Sequence, residues 1–546
     1  MSLVFASIFT LGILFAFVLG IISAILSFFG IVKIWILISI TAAIFFLQWL
    51  ISPYLSDLVF RWFYKLRWIN IEGLEILDKE VSNFVKETCK KNKIKIPKIG
   101  FIDDDNPQAF CYGSAAFNAR VVVTKGIFTY LNTEERKAVL GHEFGHIVHR
   151  DFIIMSLAAF LIAFLYHLFR FLVGSRSSKG RSDVLVLVGV VAYILYWIGT
   201  YLLLFLSRIR EYFADEFSVK ATDNSDAMAS ALIKIAYGII ARPDEEKQLD
   251  LMYATRTLGI LDFKAAKGIG LTYLLCVKLK SWEPIQKAFL FDLKNPWAFI
   301  YEINSSHPLV AKRIRRIEKI KDVKAFDFNE IEKKYYIDNK KLYANFFKDM
   351  FFEFLPIALF LCFFLVMILY SLKVFIIPFE LFFSLFFICL GMSIVGKTIY
   401  RYPSKPPEKT TILELMEDVY ASPIRGKPVE LEGRIVGRGI PGLIFSEDMM
   451  FQDKTGLIYL NYEGLIPFFS NLVFAIFKIQ KFVGKDVKAY GWFIRGLRGR
   501  LELKSLYIEG KEVKSWVKFL GIAASIPLFL IGLMILALFL LILLTY

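Results

Sequence analysis

Residues 133–173 read TEERKAVLGHEFGHIVHRDFIIMSLAAFLIAFLYHLFRFLV, a polar segment that passes directly into an apolar run long enough to cross a bilayer. Asn132 precedes this segment and Glu135 follows three positions later, which is the spacing of a capping box at a helix start. We therefore predict a helix from residue 133 to about residue 150, followed at once by a membrane span.

The predicted helix carries His142-Glu143-Phe144-Gly145-His146. Two imidazoles four residues apart lie one helical turn, or about 6 Å, from each other, so both can bind one metal ion. Glu143 stands beside them, where a carboxylate can take a proton from a metal-activated water and return it to a leaving amine. The pattern predicts a zinc site for hydrolysis. The alternative is a pair of histidines on a solvated helix face, and a third ligand decides between the two.

A candidate for that ligand follows a later apolar run. In residues 207–215, Glu211 and Asp215 are four residues apart on a predicted helix. One carboxylate can bind the metal while the other accepts the N–H of a ligating histidine and fixes its tautomer. The alternative is ordinary acidic residues on a surface helix, so this segment alone is a weak signal.

The composition indicates membrane integration. The chain has 546 residues, of which 56% are hydrophobic, and a mean hydropathy of +0.54, above the usual range of soluble globular proteins. Seven apolar runs are long enough to span a bilayer. They cover residues 3–29, 34–53, 153–173, 184–206, 354–372, 375–396 and 519–545. The first lacks a basic start and a cleavage site, so we interpret it as a retained helix. The five cysteines show no CxxC spacing, which argues against a disulfide framework or a cysteine metal site.

The chain has a net charge of +16, and the distribution of its Lys and Arg residues predicts how it is oriented in the membrane. Lys and Arg cluster after the second span, after the sixth and before the seventh, which assigns these flanks and the N-terminus to the cytosol. Arg176, Lys179 and Arg181, between the third and fourth spans, disagree, and three clusters outweigh one. The basic excess favours anionic lipid over nucleic acid as a partner.

Residues 401–516 have a different pattern. Strand-like runs occur at 429–438, 449–452, 457–462, 486–495 and 501–508, with an apolar helical segment at 467–477 between the third and fourth. Three strands, a helix and two strands is the order expected of a small OB-like barrel.

At this point the sequence resembles the HtpX-like integral-membrane metallopeptidases, relatives of the CAAX prenyl proteases. The matching pieces are His142 to His146 with Asp151 five residues on, residues 207–215, His307-Pro308 followed by Arg313-Ile314, residues 107–110 and residues 121–126. The likeness covers roughly residues 1–320. Two spans before the motif and two between it and Glu211 is the HtpX-like order. The resemblance implies a multi-span α-helical membrane protein with an α+β zincin-like (gluzincin) peptidase domain, to which a C-terminal β-rich OB-like domain is added.

The resemblance also implies roles for single residues. His142, His146 and Glu211 would bind one Zn²⁺ per chain, with Glu143 as the catalytic base and Asp215 as the partner of a ligand. It places His307 near the active site as a second catalytic residue, although an exposed His-Pro turn is an equal alternative. His149 is expected to face solvent. Gln108 and Cys111 depart from the Asn and Ala common in the family, which leaves substrate binding there open.

Substrate is expected to bind by strand addition along residues 119–124. The residues predicted to bind it are Ala109, Phe110, Ala119, Val121, Val122 and Val123. Because both ligand segments adjoin membrane spans, the zinc is expected within about 10 Å of the cytosolic interface of the cell membrane. The predicted function is a membrane-bound zinc endopeptidase that cleaves membrane or misfolded proteins in protein quality control. No oligomeric state is predicted.

Two alternative functions are compatible with the sequence. One is a CAAX-type processing peptidase, which the order of spans disfavours. The other is a membrane scaffold or nucleic-acid-binding protein that acts through the OB-like domain. Its candidate contacts are Tyr459, Tyr462, Tyr490 and Trp492 among Arg434, Arg438, Arg495, Arg498 and Arg500.

The predicted organisation follows from these assignments. It comprises two transmembrane helices (1–53), a peptidase domain (54–350) interrupted by spans at about 153–173 and 184–206, a transmembrane hairpin (351–400), the OB-like cytosolic domain (401–516) and a last span (517–546).

Overall fold

The structure is a computed structural model that describes residues 21, 34–174, 183–241, 281–323, 326–373, 378–438, 447–496 and 499–545. The expected span at residues 3–29 lies outside these residues except for Ile21. The chain divides into two compact units, residues 1–270 with 299–328 and residues 271–298 with 329–546.

The secondary structure follows in chain order. The helices in the first part of the chain are α1 (Ile34–Tyr64), α2 (Ile71–Leu77), α3 (Lys79–Lys91), α4 (Lys125–Tyr130), α5 (Thr133–Val148), α6 (Asp151–Gly174), α7 (Asp183–Thr222) and α8 (Ser225–Ala241). Then come α9 (Glu283–Lys294), α10 (Pro296–Ile303), α11 (Val310–Glu318), α12 (Phe328–Lys334), α13 (Asn339–Ser371), α14 (Phe379–Arg401), α15 (Ile412–Glu417), α16 (Pro467–Phe477), α17 (Ile479–Phe482), α18 (Val517–Ala523) and α19 (Ile526–Thr545). The strands are β1 (Arg67–Ile69), β2 (Lys98–Ile102), β3 (Ala109–Gly113), β4 (Ala119–Thr124), β5 (Glu408–Lys409), β6 (Lys427–Arg438), β7 (Met449–Gln452), β8 (Leu457–Asn461), β9 (Asp486–Arg495), β10 (Gly499–Ile508) and β11 (Lys511–Lys514).

Five of the described helices are long and apolar enough to cross a membrane. They are Asp151–Arg170, Val186–Thr222, Asn339–Ser371, Phe379–Arg401 and Val517–Leu544. Each corresponds to one of the last five predicted spans, and the predicted run at 34–53 lies within α1. These helices support the predicted multi-pass membrane protein.

The first unit contains a small sheet with the strand order β1-β2-β4-β3. β4 runs parallel to β2 and antiparallel to β3, with Gly100 and Cys111 opposite Val122 and Val121. All six residues of β4 are buried. The strand implied by the expected substrate pairing along residues 119–124 is present, and it is an interior strand, as a continuous β-branched run covered on both faces should be.

In the first unit, α6 directly follows α5, the helix that carries the histidine motif, and α7 includes the segment that carries Glu211 and Asp215. Arg150 has a φ of +58°, which ends α5 and starts α6 at Asp151. The motif helix thus stops at Val148, earlier than predicted, because this sharp bend separates it from the membrane helix. α7 continues without a break to Thr222, so Glu211 and Asp215 lie on the same helix as the fourth predicted span.

The second unit contains a closed five-stranded barrel. Around the barrel the path runs β6-β7-β8-β10-β9 and returns to β6, with β8 and β10 parallel and the other pairs antiparallel. The helix predicted at 467–477 is confirmed as α16. Apolar side chains that alternate along the strands fill the interior, among them Leu431, Phe451 and Leu501.

Two of the aromatic residues considered for nucleic-acid stacking are used in packing. Tyr462 stacks on Phe474 with ring centroids 3.7 Å apart. Trp492 is buried and donates its indole N–H to the Pro403 carbonyl at 2.9 Å. Neither ring is free to stack on a base.

The same unit includes residues 271–298 and 329–350, which the sequence had grouped with the peptidase domain. Asn295 donates to the Val419 carbonyl at 2.8 Å, and Trp297 donates to Asp349 at 3.1 Å. Within the membrane, Ser384 of α14 donates to the Gly532 carbonyl of α19 at 2.9 Å. Small residues let these two helices approach closely, as is typical of packing in lipid.

Candidate active site

Hydrogen bonds hold the first turn of α5, the helix that carries the histidine motif. Asn132 and Glu135 form the predicted capping box, each accepting a backbone N–H from the other at 2.9 Å. The buried Glu135 carboxylate also accepts hydrogen bonds from Ser230 and Lys234 of α8. The helix is therefore anchored at its first turn, two turns before His142.

Two glycines of α5 allow a close approach of α7. A Cβ atom added at Gly145 would lie 2.8 Å from the Cα of Ala214, and one at Gly141 would lie 3.3 Å from the Cα of Ser218. Ser218 also donates its hydroxyl to the Ala138 carbonyl at 2.5 Å. Because the glycines are one turn apart, they form a groove on α5 that receives α7 next to the histidines.

His142, His146 and Glu211 converge on one point, as predicted. The two Nε2 atoms are 3.2 Å apart, and each is 3.4 Å from an oxygen of Glu211. Ligands bound at about 2.0–2.2 Å around a tetrahedral zinc ion lie roughly 3.3–3.6 Å apart, so this spacing fits the ion. These three residues form a group that can hold a metal.

The outer nitrogens of both histidines are already engaged. His142 Nδ1 is 2.9 Å from Asp215 Oδ1, and His146 Nδ1 is 2.6 Å from Asp151 Oδ2. A carboxylate accepts only, so each Nδ1 carries the proton. In the neutral imidazole each Nε2 then carries a lone pair, and two lone pairs 3.2 Å apart favour a cation between them. This geometry is consistent with the expectation that Asp215 is the hydrogen-bond partner of a metal-binding histidine.

Two buried guanidinium groups hold the carboxylates in place. Arg313 of α11 binds Asp215 through Nε at 2.8 Å and Nη2 at 2.6 Å, and its Nη1 is 3.4 Å from Glu211. The carboxylates around it raise the pKa of Arg313 although its burial opposes this. Arg210 forms an ion pair with Asp151. The sequence had assigned no role to these arginines or to Asp151.

Glu143 is buried beside this group, with 1% of its surface exposed. Its Oε2 atom has no hydrogen-bond partner among the described residues. Burial raises the pKa of Glu143, and His142 and His146 partly offset this rise. Cys111 of β3 is close, with Sγ 3.5 Å from the Glu143 carbonyl oxygen. A buried carboxylate with a free oxygen is suited to receive a proton.

Two further histidines lie near the ligands. His307 is buried, its Nε2 is 3.7 Å from Glu211 Oε1, and its Nδ1 is 2.9 Å from the Ser306 hydroxyl. The exposed-turn alternative for His307 is therefore excluded. His149 is half-buried and packs edge-on against Phe213 and Phe217, so the expectation that it faces solvent is wrong. Burial, with the nearby His146 and Arg210, lowers its pKa to about 4.

One prediction about substrate binding is wrong. β4 pairs with β2 on one side and β3 on the other, so a substrate strand cannot add along Ala119, Val121, Val122 or Val123. β3 is the edge of the sheet, and it carries Ala109 and Phe110. Both side chains are buried, which leaves the backbone of β3 as the part of this edge that a peptide can reach.

A cavity of about 440 Å³ opens from the metal-ligand group. Cys111, His146 and Glu211 form its polar end, while α6 and α7 supply its apolar walls. The wall residues are Phe152, Met155, Ala159, Leu203 and Leu204. All five lie on membrane-length helices, so the cavity extends from the candidate metal centre into the membrane hairpin.

These features define a class of protein, a multi-pass membrane protein with a buried group of candidate metal ligands suited to hydrolysis. Three comparisons narrow the class. The model of "Peptidase family M48" matches residues 75–321. A "Protease HtpX homolog" of Methanothermobacter thermautotrophicus is 36% identical over 192 residues, covering 35% of this chain and 69% of the relative. One from Thermoplasma acidophilum is 30% identical over 318 residues, covering 56% of this chain and 94% of the relative.

A solved structure, described as "Crystal Structure of S. mikatae Ste24p", aligns with a TM-score of 0.29 and 18% identity over 55% of this chain and 62% of that one. The family model and the relatives decide the assignment. The chain belongs to peptidase family M48 as an HtpX-like member, and it is a membrane-bound metalloprotease.

Proposed function

We propose that this chain is a zinc-dependent endopeptidase that cleaves membrane proteins and damaged polypeptides presented at the cytosolic surface of the cell membrane, in protein quality control. The observation that carries the proposal is the pair of Nε2 atoms 3.2 Å apart, both facing Glu211, with both Nδ1 atoms fixed by carboxylates. The donor set of two imidazoles and one carboxylate is a common one for catalytic zinc.

In this proposal, His142, His146 and Glu211 hold one Zn²⁺. A zinc ion held there would acidify water and polarise a carbonyl group. Glu143 takes the proton from the attacking water and delivers it to the leaving amine. Burial raises the pKa of Glu143, which makes its carboxylate a better acceptor for the proton of the attacking water.

Two other residues act on the substrate and on a ligand. His307 lies 3.7 Å from Glu211, where its imidazole can steady the oxygen that gains charge as the peptide bond is attacked. Asp215 keeps His142 in the tautomer that binds metal, since it accepts the Nδ1 proton.

We propose that the substrate backbone lies along β3, whose register opposite β4 puts Cys111 next to the motif helix. A substrate side chain beside the scissile bond enters the cavity between α6 and α7. Its apolar walls favour an apolar side chain, which is the type that segments leaving a membrane supply in abundance. Placement of this site on the cytosolic side rests on the distribution of Lys and Arg.

The domain assignments are also proposals. The ligand helix with its small sheet supports a gluzincin-type peptidase domain, and the barrel order with its helix between the third and fourth strands supports an OB fold. The proposed organisation keeps the boundaries predicted above, except that residues 271–298 and 329–350 belong with the barrel and its membrane helices.

The test uses the full-length protein with Glu143→Gln, which preserves shape and removes the base. We expect one zinc per chain by elemental analysis and a loss of roughly 10²–10⁴-fold in peptidase rate. Glu134→Gln is the matched control, because Glu134 is exposed on the same helix and pairs only with Lys137 in the described structure. It should retain both zinc and activity. Full activity of Glu143→Gln would show that the base lies elsewhere.

Further measurements test the metal ligands and the substrate class separately. Chelation should abolish activity that added zinc restores, and Glu211→Ala should lose zinc. If Glu211→Ala keeps stoichiometric zinc and full activity, the third ligand is a different residue. A detergent-solubilised membrane protein should be cleaved and soluble casein spared, whereas equal cleavage of both would contradict the membrane-restricted substrate class.

A further inference from the structure

The barrel of the second unit carries an exposed apolar helix. α16 (Pro467–Phe477) joins the third and fourth barrel strands through the short α17, and it packs on the barrel through Phe474 and Ala475, which are buried. The opposite side carries apolar residues at helical spacing, Phe469, Val473, Ile476 and Phe477. These four side chains and those of Leu465, Ile466 and Phe468 are between 37% and 73% exposed. We refer to these seven residues as the outer face.

The outer face needs a partner. An exposed apolar patch that includes three phenylalanines is unusual on a protein surface in water and marks a contact with another protein or with lipid. Apart from Ser470 and Asn471, α16 consists of apolar residues, and a helix so apolar is normally buried or embedded in a membrane. The helix has 11 residues, or about 16 Å of length, whereas a transmembrane helix needs about 20 residues. It can therefore lie in a membrane surface but cannot span the bilayer.

Hydrogen bonds fix the start of this helix to the base of the last membrane span. Trp516, which immediately precedes Val517–Leu544, donates its backbone N–H to the Glu463 carbonyl at 2.8 Å. Asn471 of α16 donates to the Glu463 carboxylate at 2.9 Å and accepts the Gly464 N–H at 2.7 Å. The outer face thus begins at the point where the chain enters the membrane.

The polar surroundings match a lipid head-group region. Lys478 and Lys481 are exposed just beyond the end of α16, and Lys514 is exposed two residues before Trp516. Trp516 and Phe519 are also exposed, with ring centroids 5.6 Å apart. Aromatic rings are enriched at membrane interfaces, and Lys side chains are attracted to anionic lipids.

We propose that the outer face of α16 inserts into the interfacial layer of the bilayer, to the depth of about 5–10 Å typical of in-plane helices. Its partner is a phospholipid surface that contains anionic head groups. The helix then acts as a second membrane contact for the barrel, beside the spans on either side of it in the sequence. This inference is independent of the peptidase activity, because every residue that carries it lies in the second unit.

The experiment places a fluorescent amino acid at position 469 of the full-length protein, reconstituted in vesicles of phosphatidylcholine and phosphatidylglycerol. Bromine or nitroxide groups on the lipid chains quench a fluorophore that is in contact with them. Position 454 is the control, since Lys454 is exposed in a polar turn of the same barrel. A third label at position 519 marks the start of the last span. Because all three positions are exposed, the labels do not disturb a core.

We expect quenching at 469 to approach that at 519 and to exceed that at 454 several-fold, while aqueous iodide quenches 454 only. Vesicles of phosphatidylcholine alone should give weaker quenching at 469, because the Lys contribution is lost. Quenching at 469 no greater than at 454 would overturn the proposal. So would lipid-independent protection of 469 that appears only as protein concentration rises, since it would assign the outer face to a second copy of the chain.

Discussion

Replacement of Gly145 by alanine should separate the metal ligands without touching any of them. The added Cβ would lie 2.8 Å from the Cα of Ala214 and 3.2 Å from its carbonyl oxygen, both backbone atoms that cannot rotate away. Carbon atoms in contact normally lie about 3.5–4.0 Å apart, so α7 must shift by about 1 Å. Glu211 is three residues before Ala214 on that helix and must shift with it.

The size of the effect follows from this displacement. A misplacement of about 1 Å in a catalytic site can cost roughly 10²-fold in rate, and we expect a loss of that order together with weaker zinc binding. Overpacking costs about 1–3 kcal/mol, whereas alanine is favoured over glycine in a helix by about 1 kcal/mol. The net loss of stability should therefore be about 2 kcal/mol or less, and the protein should still fold.

The assay measures zinc content after dialysis against a buffered zinc solution, peptidase rate and the midpoint of thermal unfolding. Gly141→Ala should have a smaller effect on activity, because its Cβ would lie 3.3 Å from the nearest backbone atom, the Cα of Ser218. Gly396→Ala is the matched control, since the nearest atom to its Cβ is a side-chain carbon at 4.0 Å. If Gly145→Ala binds one zinc and cleaves at the wild-type rate, the close helix approach does not set the ligand geometry.

Two further predictions concern the groups around the ligands. Arg313→Lys keeps the charge but loses the two-bond contact with Asp215, so zinc affinity should fall about 10–100-fold, and unchanged affinity in a zinc titration would contradict this role. His149 has a pKa of about 4, below its ordinary value of 6.5, so the folded state binds fewer protons than the unfolded state. Stability is therefore unaffected by this group above pH 6.5 and falls as the pH is lowered towards 4, because the unfolded state gains a proton that the folded state does not take up. His149→Phe should therefore lose less stability than the wild type over that range, and parallel stability curves for the two proteins would refute the assignment.

The elements of the fold were largely predictable because their patterns are local. Each predicted strand of the barrel starts within two residues of the observed one, since alternation of apolar and polar residues reflects a barrel wall with one face inside. The end of α7 was not predictable in this way. Hydropathy falls at Ser207 and Arg208, but the helical hydrogen bonds continue to Thr222. The bend at Arg150 also gives no glycine signal, because a non-glycine residue adopts the positive φ there.

In the candidate site too, local relations could be predicted from the sequence and long-range contacts could not. His142 and His146 share one helix, so their spacing alone predicts a joint ligand role. Arg313 is 98 residues from Asp215, and nothing local in the sequence pairs them. The expectation that substrate pairs with β4 was wrong because strand neighbours are also set by distant parts of the chain. The order β1-β2-β4-β3 places β4 inside the sheet and β3 at its edge, as the three consecutive valines of β4 suggest.

The unbroken α7 joins the candidate metal site to the apolar cavity, and this arrangement limits which substrates can bind. Leu203 and Leu204, which line the cavity, precede Glu211 by two turns, or about 11 Å along the helix. One continuous helix therefore supplies a candidate metal ligand and part of the apolar wall of the cavity beside it. A substrate that fills the cavity must place an apolar side chain between two membrane helices while its backbone reaches β3. For the proposed substrates, segments where a polypeptide leaves the bilayer meet both requirements, since apolar side chains are abundant there.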